Sequence, residues 1–453
     1  MVKRKFFQVV LCCLMLNVVV LAQQSSQQSS KIDDLLNAET AKLVETYKML
    51  HAAPELSGKE EKTSAFVAKE LRALGYEVTE RIGKYDQPGV VGYGVVALMK
   101  NGAGPTVLVR ADMDALPVEE KTGLPYASKV KTKNDAGLEV SVMHACGHDT
   151  HVASFMTTAK LLVQLKDQWK GTLMLVAQPA EETIGGAKAM VQDGLYTRFP
   201  KPDYLLGLHA WGSAAGTVGY ASGYFMASAD SVDITVRGIG GHGSRPEAAK
   251  DPVIVAAQIV VALQTIVSRE NSPIDPAVVT VGSIHGGTKH NIIPDEVHLQ
   301  LTVRTYKAEV RTKVLAAIER IAKGVAATAG IPADLAPIVK FSPSYAPATY
   351  NDPALTARMG AVLEKTLGKD RVTKADPVMG SEDFGFFGLD GHKIPGFYFF
   401  IGVFSPDQVA NSLKTGIPLP SNHSSSFAPP NPEPTLKTGV KAMTSLVLDL
   451  MKK

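Results

Sequence analysis

Residues 172–182 read TLMLVAQPAEE, a short apolar run followed by two successive glutamates. A run this short and rich in Leu and Val predicts a strand buried on both faces of a sheet. Two similar runs, Thr106–Val109 and Tyr204–Leu208, flank it along the chain, and helical patterns at Gly147–Leu165 and Gly186–Gln192 separate the three. Strands that alternate with helices in this way predict an α/β fold with a mostly parallel sheet.

The middle of the chain follows a different order of elements. Strand, helix, strand, strand, helix and strand are predicted, in that order, at Ser231–Val236, Pro252–Ser268, Val278–Ile284, Val297–Val303, Ala308–Ala329 and Ile338–Phe341. This βαββαβ order is that of a ferredoxin-like unit, which is compact enough to fold on its own. We therefore expect two domains: a discontinuous catalytic domain of residues 31–220 and 345–453, and an inserted domain of residues 221–344.

Composition excludes several classes of protein. The 453 residues are 45% hydrophobic and 20% charged and include three cysteines, which is ordinary globular composition and rules out disulfide-rich, collagenous and disordered chains. The formal charge of +3 includes Lys3, Arg4 and Lys5, which lie in a predicted signal peptide, so the mature chain carries about zero (3 minus 3). No basic field is left to bind nucleic acid.

The first 22 residues have a basic start, an apolar run and a small residue, Ala22, before a Gln/Ser tract, as in a secretory signal peptide. Residues 23–30 (QQSSQQSS) form a low-complexity spacer. An uncleaved anchor is the alternative, but Gln8 and Asn17 interrupt the apolar run, which is short for a span of about 20 residues. No later apolar segment is expected to span a membrane, and the mature protein is expected to be periplasmic or secreted.

Signal cleavage leaves one cysteine, Cys146, so no intramolecular disulfide can form. It lies in MHACGHDTH, residues 143–151, a dense group of metal-type ligands at a predicted helix start. Thiolate and imidazole are ligands for zinc, manganese and related ions. Gly147 lets the loop turn Cys146 and His148 toward one point. The alternative is that these side chains cap the helix or bind water.

Polar side chains also follow each of the three predicted strands. Asp112 and Asp114 follow the first strand, Glu181 and Glu182 the second, and His209 the third. Ligands collect at the carboxyl ends of parallel strands, so we expect these groups to meet the Cys146 cluster there. Asp114 is a candidate to orient a ligand imidazole, although an Asp at a strand end also often caps a turn.

The Glu181-Glu182 pair predicts two different roles for its two side chains. Adjacent carboxylates point in different directions, so one can bind an ion while the other takes a proton from water. The alternative, two solvated acids in a loop, is common for a Glu-Glu pair taken at random.

Seven strings in order resemble the amidohydrolase branch of the aminoacylase and carboxypeptidase G2 metallopeptidase family. They are HAAPELSGKE (51–60), RADMDALP (110–117), MHACGHDTH (143–151), PAEE (179–182), GGHGSRP (240–246), GGTKHNIIP (286–294) and GSEDF (380–384). The resemblance covers residues 35 to 453, and its relatives are hippurate hydrolases, N-acyl-amino-acid deacylases and auxin-conjugate hydrolases.

The resemblance implies a site for two divalent ions of zinc, manganese or cobalt. It makes Cys146 the bridging ligand, completed by His148, Glu182, His209 and His423, and it makes Glu181 the general base. The string around His423, PSNHSSSFAPP, matches the family less closely than the others do. It also contains a glycosylation sequon, and a glycan there would crowd the ligand, so we expect a bacterial source or an unmodified site.

The inserted domain carries three further candidates that the resemblance implies. His242 matches a family histidine that stabilises the oxyanion, often across a dimer. Asn291 and Arg304 match positions that bind the substrate carboxylate or carbonyl, and a guanidinium suits the two oxygens of a carboxylate. From the residues alone, Arg304 could equally be an ordinary edge-strand arginine. The inserted domain is expected to form a lid and a homodimer contact.

These features predict an exported, metal-dependent amidohydrolase that cleaves N-acyl amino acids. One alternative is a carboxypeptidase or dipeptidase of the same family that acts on short peptides. The other is a non-catalytic exported solute-binding protein, which the Glu181-Glu182 pair argues against.

Overall fold

The computed structural model describes residues 30–86 and 90–453. The predicted signal peptide and all but the last residue of the predicted spacer lie outside the described residues. The α-helices of the described chain are α1 (residues 30–52), α2 (Glu61–Ala73), α3 (His148–Gln164), α4 (Gly186–Gln192), α5 (Leu195–Arg198), α6 (Pro252–Thr265), α7 (Ala308–Thr328), α8 (Pro353–Leu367), α9 (Pro406–Thr415) and α10 (Pro432–Met451).

The strands are β1 (Glu77–Ile82), β2 (Gly94–Asn101), β3 (Thr106–Asp112), β4 (Lys131–Lys133), β5 (Glu139–Ser141), β6 (Gly171–Gln178), β7 (Tyr204–Ala214), β8 (Val218–Tyr220), β9 (Gly223–Arg237), β10 (Gly241–His242), β11 (Ala277–Gly286), β12 (Ile292–Ile293), β13 (Glu296–Thr305), β14 (Ile338–Phe341), β15 (Thr349–Asn351), β16 (Val372–Lys374), β17 (Val378–Ser381) and β18 (Gly396–Phe404).

The main sheet has eight strands in the order β1-β2-β6-β3-β7-β18-β8-β16. Its four central strands, from β6 to β18, are parallel neighbours. Antiparallel pairing occurs only toward the edges, where β1 and β2 extend one side and β8 pairs with β18 on the other. The predicted α/β fold with a mostly parallel sheet is confirmed.

Strand β6 shows how the sequence builds the two-sided core of this sheet. Leu173, Leu175 and Ala177 pack into the cluster beneath α1, α2, α3, α8 and α10, whereas Met174 and Val176 face a second cluster that includes α4. Successive side chains of a strand point to opposite faces, so an uninterrupted apolar run is what a sheet covered on both faces requires. Leu175→Ala would therefore cost about 2–5 kcal/mol of stability.

The second sheet contains the predicted βαββαβ unit. Its strand order is β11-β13-β9-β14, all antiparallel, so the first strand of the unit lies between the third and the last, as in a ferredoxin-like fold. Helices α6 and α7 supply buried residues to a separate core with these strands. Strand β9 is longer than predicted, and its first half pairs with the short strands β15 and β17.

One helical stretch of the described chain, Pro252–Glu270, has the length and hydropathy of a membrane span, with 33% of it buried. No segment after the predicted signal peptide was expected to reach this length, and by length and composition alone that expectation was wrong. Its inner face includes Val255, Ile259 and Leu263, which pack into the core of the inserted unit. Since core helices of soluble proteins pass the same composition test, this is weak evidence for a membrane span.

Several short elements were not predicted. Strands β4, β5, β8 and β15 have three residues each, and β1 is largely polar, EVTERI. Runs of this length and polarity carry little periodic signal, so neighbouring strands rather than their own residues decide their pairing.

Candidate metal centre

The carboxyl ends of β3 and β6 and the middle of β7 bring acidic and imidazole side chains together. Strand β7 continues to Ala214, so His209 lies within it rather than after it, which is where the sequence had predicted it. In the register of the sheet, Asp112 at the end of β3 pairs with Gln178 at the end of β6, and Arg110 pairs with Gly207 of β7. His209, two residues beyond Gly207, therefore lies level with Asp112. The Glu181-Glu182 pair follows β6 directly, so the expected meeting of these groups at one edge is observed.

Gly147 allows the Cys146 loop to approach this edge. It adopts φ +85° immediately before α3, and a Cβ added to it would lie 2.7 Å from the Cβ of Ala210. A side chain is therefore excluded by both the left-handed backbone and the close contact. The turn places Cys146 Sγ 3.5 Å from His209 Nε2 and starts the helix on His148.

The five predicted metal ligands form two overlapping groups. Cys146, His148 and His209 offer ligand atoms that all lie within 4.8 Å of one another, and so do Cys146, Glu182 and His423. The cysteine sulfur belongs to both groups, which is the arrangement a ligand shared by two ions requires. A further group of the described residues joins His148, Glu181 and Glu182.

The tautomers of two histidines leave a lone pair free for an ion. His148 Nδ1 lies 2.8 Å from the carbonyl oxygen of Asp114, and His209 Nδ1 lies 2.7 Å from that of Ala210. A carbonyl only accepts hydrogen bonds, so both rings carry their proton on Nδ1. In the neutral form of each ring, Nε2 is then the atom with the free lone pair that a metal ligand needs. Burial lowers the pKa of His209, whereas Asp112 and Asp114 outweigh burial and raise the pKa of His148 to about 10, so an ion at His148 would displace a proton.

The space in front of His148 fits an ion. His148 Nε2 is buried and has no hydrogen-bond partner, and Glu182 Oε1 is in the same state. Carboxylate oxygens of Asp112, Glu181 and Glu182 lie 3.6, 3.8 and 3.9 Å from that nitrogen. These distances are too long for hydrogen bonds but are roughly the 3–4 Å that separates two ligands of one ion.

Charge at this edge also favours cations. Arg110 is a buried base that pairs with Asp112, Glu382 and Asp383, and three further acidic side chains lie at the same edge, Asp114, Glu181 and Glu182. Burial, together with the Glu382 and Glu182 charges, raises the pKa of Glu181 well above its usual range. Burial and the charges of Glu182 and Glu181 raise the pKa of the Cys146 thiol. A bound divalent ion reverses this balance, because it favours the ionised thiolate and carboxylates.

Asp114 contacts both a candidate ligand and the Glu181-Glu182 turn. Its Oδ1 lies 3.2 Å from His148 Nδ1, and its Oδ2 accepts the Glu182 N–H at 2.9 Å and the Ser57 hydroxyl at 2.6 Å. The carboxylate is thus placed to orient the imidazole, in addition to the Asp114 backbone carbonyl.

His423 has a different setting from the other candidate ligands. Its side chain is 57% exposed, and its Nε2 lies 3.3 Å from Glu182 Oε2. The hydrogen bond to Glu182 raises the pKa of His423. Its backbone lies in the left-handed region at φ +70°, and its N–H donates to the Ala145 carbonyl at 2.8 Å.

His151 was not singled out as a separate site residue, and its hydrogen bonds show what it does. Its Nε2 accepts the Ala210 N–H at 2.7 Å, so Nδ1 carries the proton and donates to Asp112 Oδ1 at 2.5 Å. Both nitrogens are occupied, which leaves none for an ion. His151 instead links β7, at the residue after His209, to the end of β3.

Arg110 is the residue that sequence reasoning missed most clearly. Its guanidinium is fully buried and donates to Asp112 at 2.6 Å, Gln178 at 2.7 Å, Glu382 at 2.6 Å and Asp383 at 3.0 Å. It therefore ties the ends of β3 and β6 to the 382–383 segment. The string RADMDALP contains Arg110 and Asp112, and the string GSEDF contains Glu382 and Asp383. Nothing in either string shows that the two segments contact each other.

Glu60 is a second missed residue. One of its carboxylate oxygens accepts the Ala180 N–H at 2.8 Å and the Gly58 N–H at 2.8 Å. Ala180 adopts φ +52°, so this contact holds the turn that presents Glu181. Burial and the charge of Asp114 raise the pKa of Glu60 to about 8.

The three candidates of the inserted unit lie apart from the cluster. His242 and Asn291 are exposed neighbours on the β10–β12 ladder, where the Gly243 N–H donates to the Asn291 carbonyl at 2.9 Å. Arg304 is half-buried on β13. Within residues 30–86 and 90–453, no hydrogen bond or ion pair joins these three side chains to the predicted metal ligands.

Comparison with known proteins gives a consistent result. The sequence profile of peptidase family M20/M25/M40 matches residues 108–447. Thermostable carboxypeptidase 2 of Saccharolobus solfataricus is 38% identical over 91% of this chain and 96% of its own. Hippurate hydrolase of Campylobacter jejuni is 42% identical over 75% of this chain and 82% of its own. A dinuclear metal-binding family M20 peptidase of Bacillus subtilis superposes with a TM-score of 0.71 at 30% identity, covering 92% of this chain and 99% of its own.

Proposed function

Because this chain belongs to peptidase family M20/M25/M40 and is a metal-dependent hydrolase of linear amides, we propose that its substrates are N-acyl amino acids. Family membership confirms the predicted amidohydrolase chemistry and argues against the solute-binding alternative. The observation that carries the hydrolytic part is the pair of ligand groups that share Cys146 and adjoin Glu181. The choice of N-acyl amino acids is supported by the 42% identity to hippurate hydrolase over 82% of that enzyme.

Two ions fit the donor set. We assign Cys146 to both, His148 and His209 to one side, and Glu182 and His423 to the other. Thiolate, imidazole and carboxylate together suit zinc, manganese or cobalt. When bound, such ions supply Lewis acidity to the substrate carbonyl and to the attacking water.

Glu181 is the candidate general base. Its carboxylate is buried next to the ligand groups and lies 3.8 Å from His148 Nε2. In the proposed reaction, Glu181 accepts a proton from water as the water attacks the amide carbon, and then delivers it to the departing amine nitrogen. The products are a carboxylic acid and a free amino acid, so atoms and protons balance.

The inserted unit supplies the proposed binding groups. We assign His242 to the oxyanion, and Asn291 and Arg304 to the substrate carboxylate. Arg304 is half-buried. Burial lowers its pKa, and the charge of nearby Asp230 opposes that shift. A bound substrate anion would stabilise the charged guanidinium in the same way as Asp230 does. Since no hydrogen bond or ion pair of the described residues joins these groups to the cluster, the proposal includes closure of the inserted unit or a second subunit that brings them to it.

A homodimer through the inserted unit is part of the proposal. Helix α6 exposes Ile254 at 56% and Val261 at 72% of their surface, although its other face is buried. Exposed apolar side chains grouped on one helix face are typical of protein contacts. Sedimentation of the full chain would test this, with a dimer expected.

Export is the remaining part of the proposal. It rests on the basic and apolar pattern of residues 1–22, which lie outside the described residues. Amino-terminal sequencing of the protein from fractionated cells should find Gln23 first, in the periplasmic or secreted fraction. A mature chain that starts at Met1 would contradict cleavage.

The carboxypeptidase alternative has specific support, because a carboxypeptidase matches 91% of the chain. A single experiment separates the two: hydrolysis of benzoyl-glycine, acetyl amino acids and dipeptides by protein loaded with Zn, Mn or Co. Preference for the N-acyl amino acids supports the proposal, whereas preference for dipeptides supports the alternative. Failure to bind at least one ion per chain would contradict both.

A further inference from the structure

Asn422 occupies a position that the catalytic assignments leave without a role. It precedes His423 in the 421–427 segment, and its side chain is half-buried. Its amide nitrogen lies 3.2 Å from the Ala210 carbonyl oxygen, 3.4 Å from the Cys146 carbonyl oxygen and 3.8 Å from Cys146 Sγ. One side chain therefore contacts the Cys146 loop and the residue after His209.

The orientation of this amide is set by its neighbours. Two carbonyl oxygens face it, and carbonyl oxygens only accept hydrogen bonds, so the nitrogen rather than the oxygen of the Asn422 amide must point toward them. One proton goes to Ala210, and the other is directed between the carbonyl oxygen and the sulfur of Cys146. Both donors of Asn422 are thus used within the loops that carry candidate ligands.

The backbone of His423 needs such support. It lies in the left-handed region, which is unfavourable for a residue with a Cβ and persists only where surrounding contacts hold it. The His423 ring is more than half exposed, so packing around the ring does not fix it. The contacts that anchor the segment include the Asn422 amide, the His423 N–H on Ala145, the Lys121 N–H, which donates to the Ser425 carbonyl at 2.7 Å, and the buried Phe427 ring at its end. The ring itself contacts Glu182.

We propose that Asn422 is a positioning residue that holds His423 at the metal centre by tying its segment to the Cys146 loop and to Ala210. This inference rests on the proposed function, because it takes His423 and Cys146 as ligands. It has a consequence for the sequon Asn422-His423-Ser424: a glycan on the amide nitrogen would remove one of the two donors and displace the side chain.

Two substitutions test the role of the amide. Asn422→Asp keeps the shape but sets an oxygen against two carbonyl oxygens, and Asn422→Ala removes the contact. We expect each to weaken binding of at least one ion about 10- to 100-fold in competition with a chelator. The visible spectrum of cobalt-loaded protein should also change, because the surroundings of the ion that His423 binds are altered.

The matched control is Asn411→Asp, which makes the same chemical change at an exposed position of α9. It should leave affinity and spectrum unchanged. If Asn422→Asp does not fold, Asn422→Ser, which keeps one donor, carries the test and should fall between wild type and Asn422→Ala. Wild-type affinities and spectra in the Asn422→Ala and Asn422→Asp variants would overturn the inference.

His423→Ala separates this inference from the proposed function. If His423→Ala weakens metal binding and the Asn422 variants do not, only the positioning role fails. If His423→Ala also binds both ions normally, the ligand assignment fails and the inference fails with it. In protein secreted from a glycosylating host, metal-loaded molecules should carry no glycan on Asn422, and a glycan on fully loaded protein would contradict the proposal.

Discussion

The metal-ligand edge of the main sheet and the candidate binding face of the inserted unit are built in opposite ways. At the edge, His148, His151 and His209 are buried, and hydrogen bonds to carbonyl, carboxylate or backbone N–H groups set the tautomer of each ring. On the inserted unit, His242 and Asn291 are exposed, and the His242 ring accepts hydrogen bonds from Ser244 of its own turn. Ion binding and proton transfer are thus preorganised, whereas contacts with the substrate depend on how the inserted unit meets the edge.

The largest expected effect comes from Glu181→Gln at the preorganised edge. Loss of the general base should lower kcat about 10²- to 10⁴-fold, while metal content stays near wild type because Glu181 is not among the proposed ligands. Steady-state kinetics and elemental analysis check this on the same preparation. Glu433→Gln, an exposed change in the first turn of α10, is the control and should leave both unchanged.

Full activity in Glu181→Gln would remove the residue from the reaction. Loss of metal together with activity would instead make Glu181 a ligand, and the division of labour between the two adjacent glutamates would be wrong.

Arg110→Met tests whether the rigidity of the edge depends on one buried charge. The substitution leaves the Asp112 and Glu382 carboxylates without their base, and breaking a buried ion pair from one side costs about 3–5 kcal/mol. Chemical unfolding of the metal-free protein should show this loss. Arg358→Met removes an arginine from a partly exposed pair with Asp449, and about 1 kcal/mol or less is expected there.

A loss of unfolding free energy below 1 kcal/mol in Arg110→Met would mean that the Arg110 ion pairs do not stabilise the metal-ligand edge, and that the pairing and packing of its strands are sufficient. Metal-loaded protein provides a second measure, because cations would replace part of the missing charge and the deficit should shrink.

The main strands could be predicted from sequence because their apolar runs are continuous. The strand β14 and the helix α4 were predicted to the residue. The shared ligand groups could be anticipated because strand ends carry the polar residues. The Arg110 network could not, since it joins residues about 270 positions apart whose contact depends on which strands become neighbours. Likewise, the left-handed backbone of His423 could not be predicted from the sequence. Glycine is the residue type that usually indicates such a backbone, and this residue is a histidine.

His242→Ala probes the other side of the comparison. We expect a fall of about 10² in kcat, the lower range for loss of one oxyanion donor, with metal content and unfolding free energy unchanged. His298→Ala, at an exposed position of β13 in the same inserted unit, where the ring pairs with Glu296, is the matched control. A stability loss in His242→Ala equal to that of Arg110→Met would erase the distinction between the two regions.

If a neighbouring subunit supplies His242, mixtures make a sharper test. Equal amounts of Glu181→Gln and His242→Ala protein, mixed under conditions that exchange subunits, should regain part of the activity. No recovery in a proven mixed dimer would place His242 in the active site of its own chain.

The smallest expected effect on stability concerns His51, which contacts the first turn of α3 beside the metal-ligand edge. It lies 2.6 Å from Asp149, the residue after His148, and 3.0 Å from Glu120. Burial alone would lower the pKa of His51, but hydrogen bonds to Asp149 and Glu120 outweigh it and raise the pKa to about 10. The folded protein therefore binds this proton more tightly than the unfolded chain does.

The sign of the pH dependence follows from that difference. The stabilising contribution of His51 is complete below its unfolded pKa of about 6.5 and is lost as the pH rises through about 10. The same contacts lower the pKa values of Asp149 and Glu120, so their contribution is complete above about pH 4.5 and is lost on acidification.

His51→Gln should thus cost about 2 kcal/mol near pH 5–6 and progressively less toward pH 10. Urea unfolding across that range measures it, with His298→Gln as the exposed counterpart. An equal loss of unfolding free energy at pH 5.5 and pH 10 would show that His51 stabilises the protein by packing. Packing rather than charge would then hold the metal-ligand edge in place.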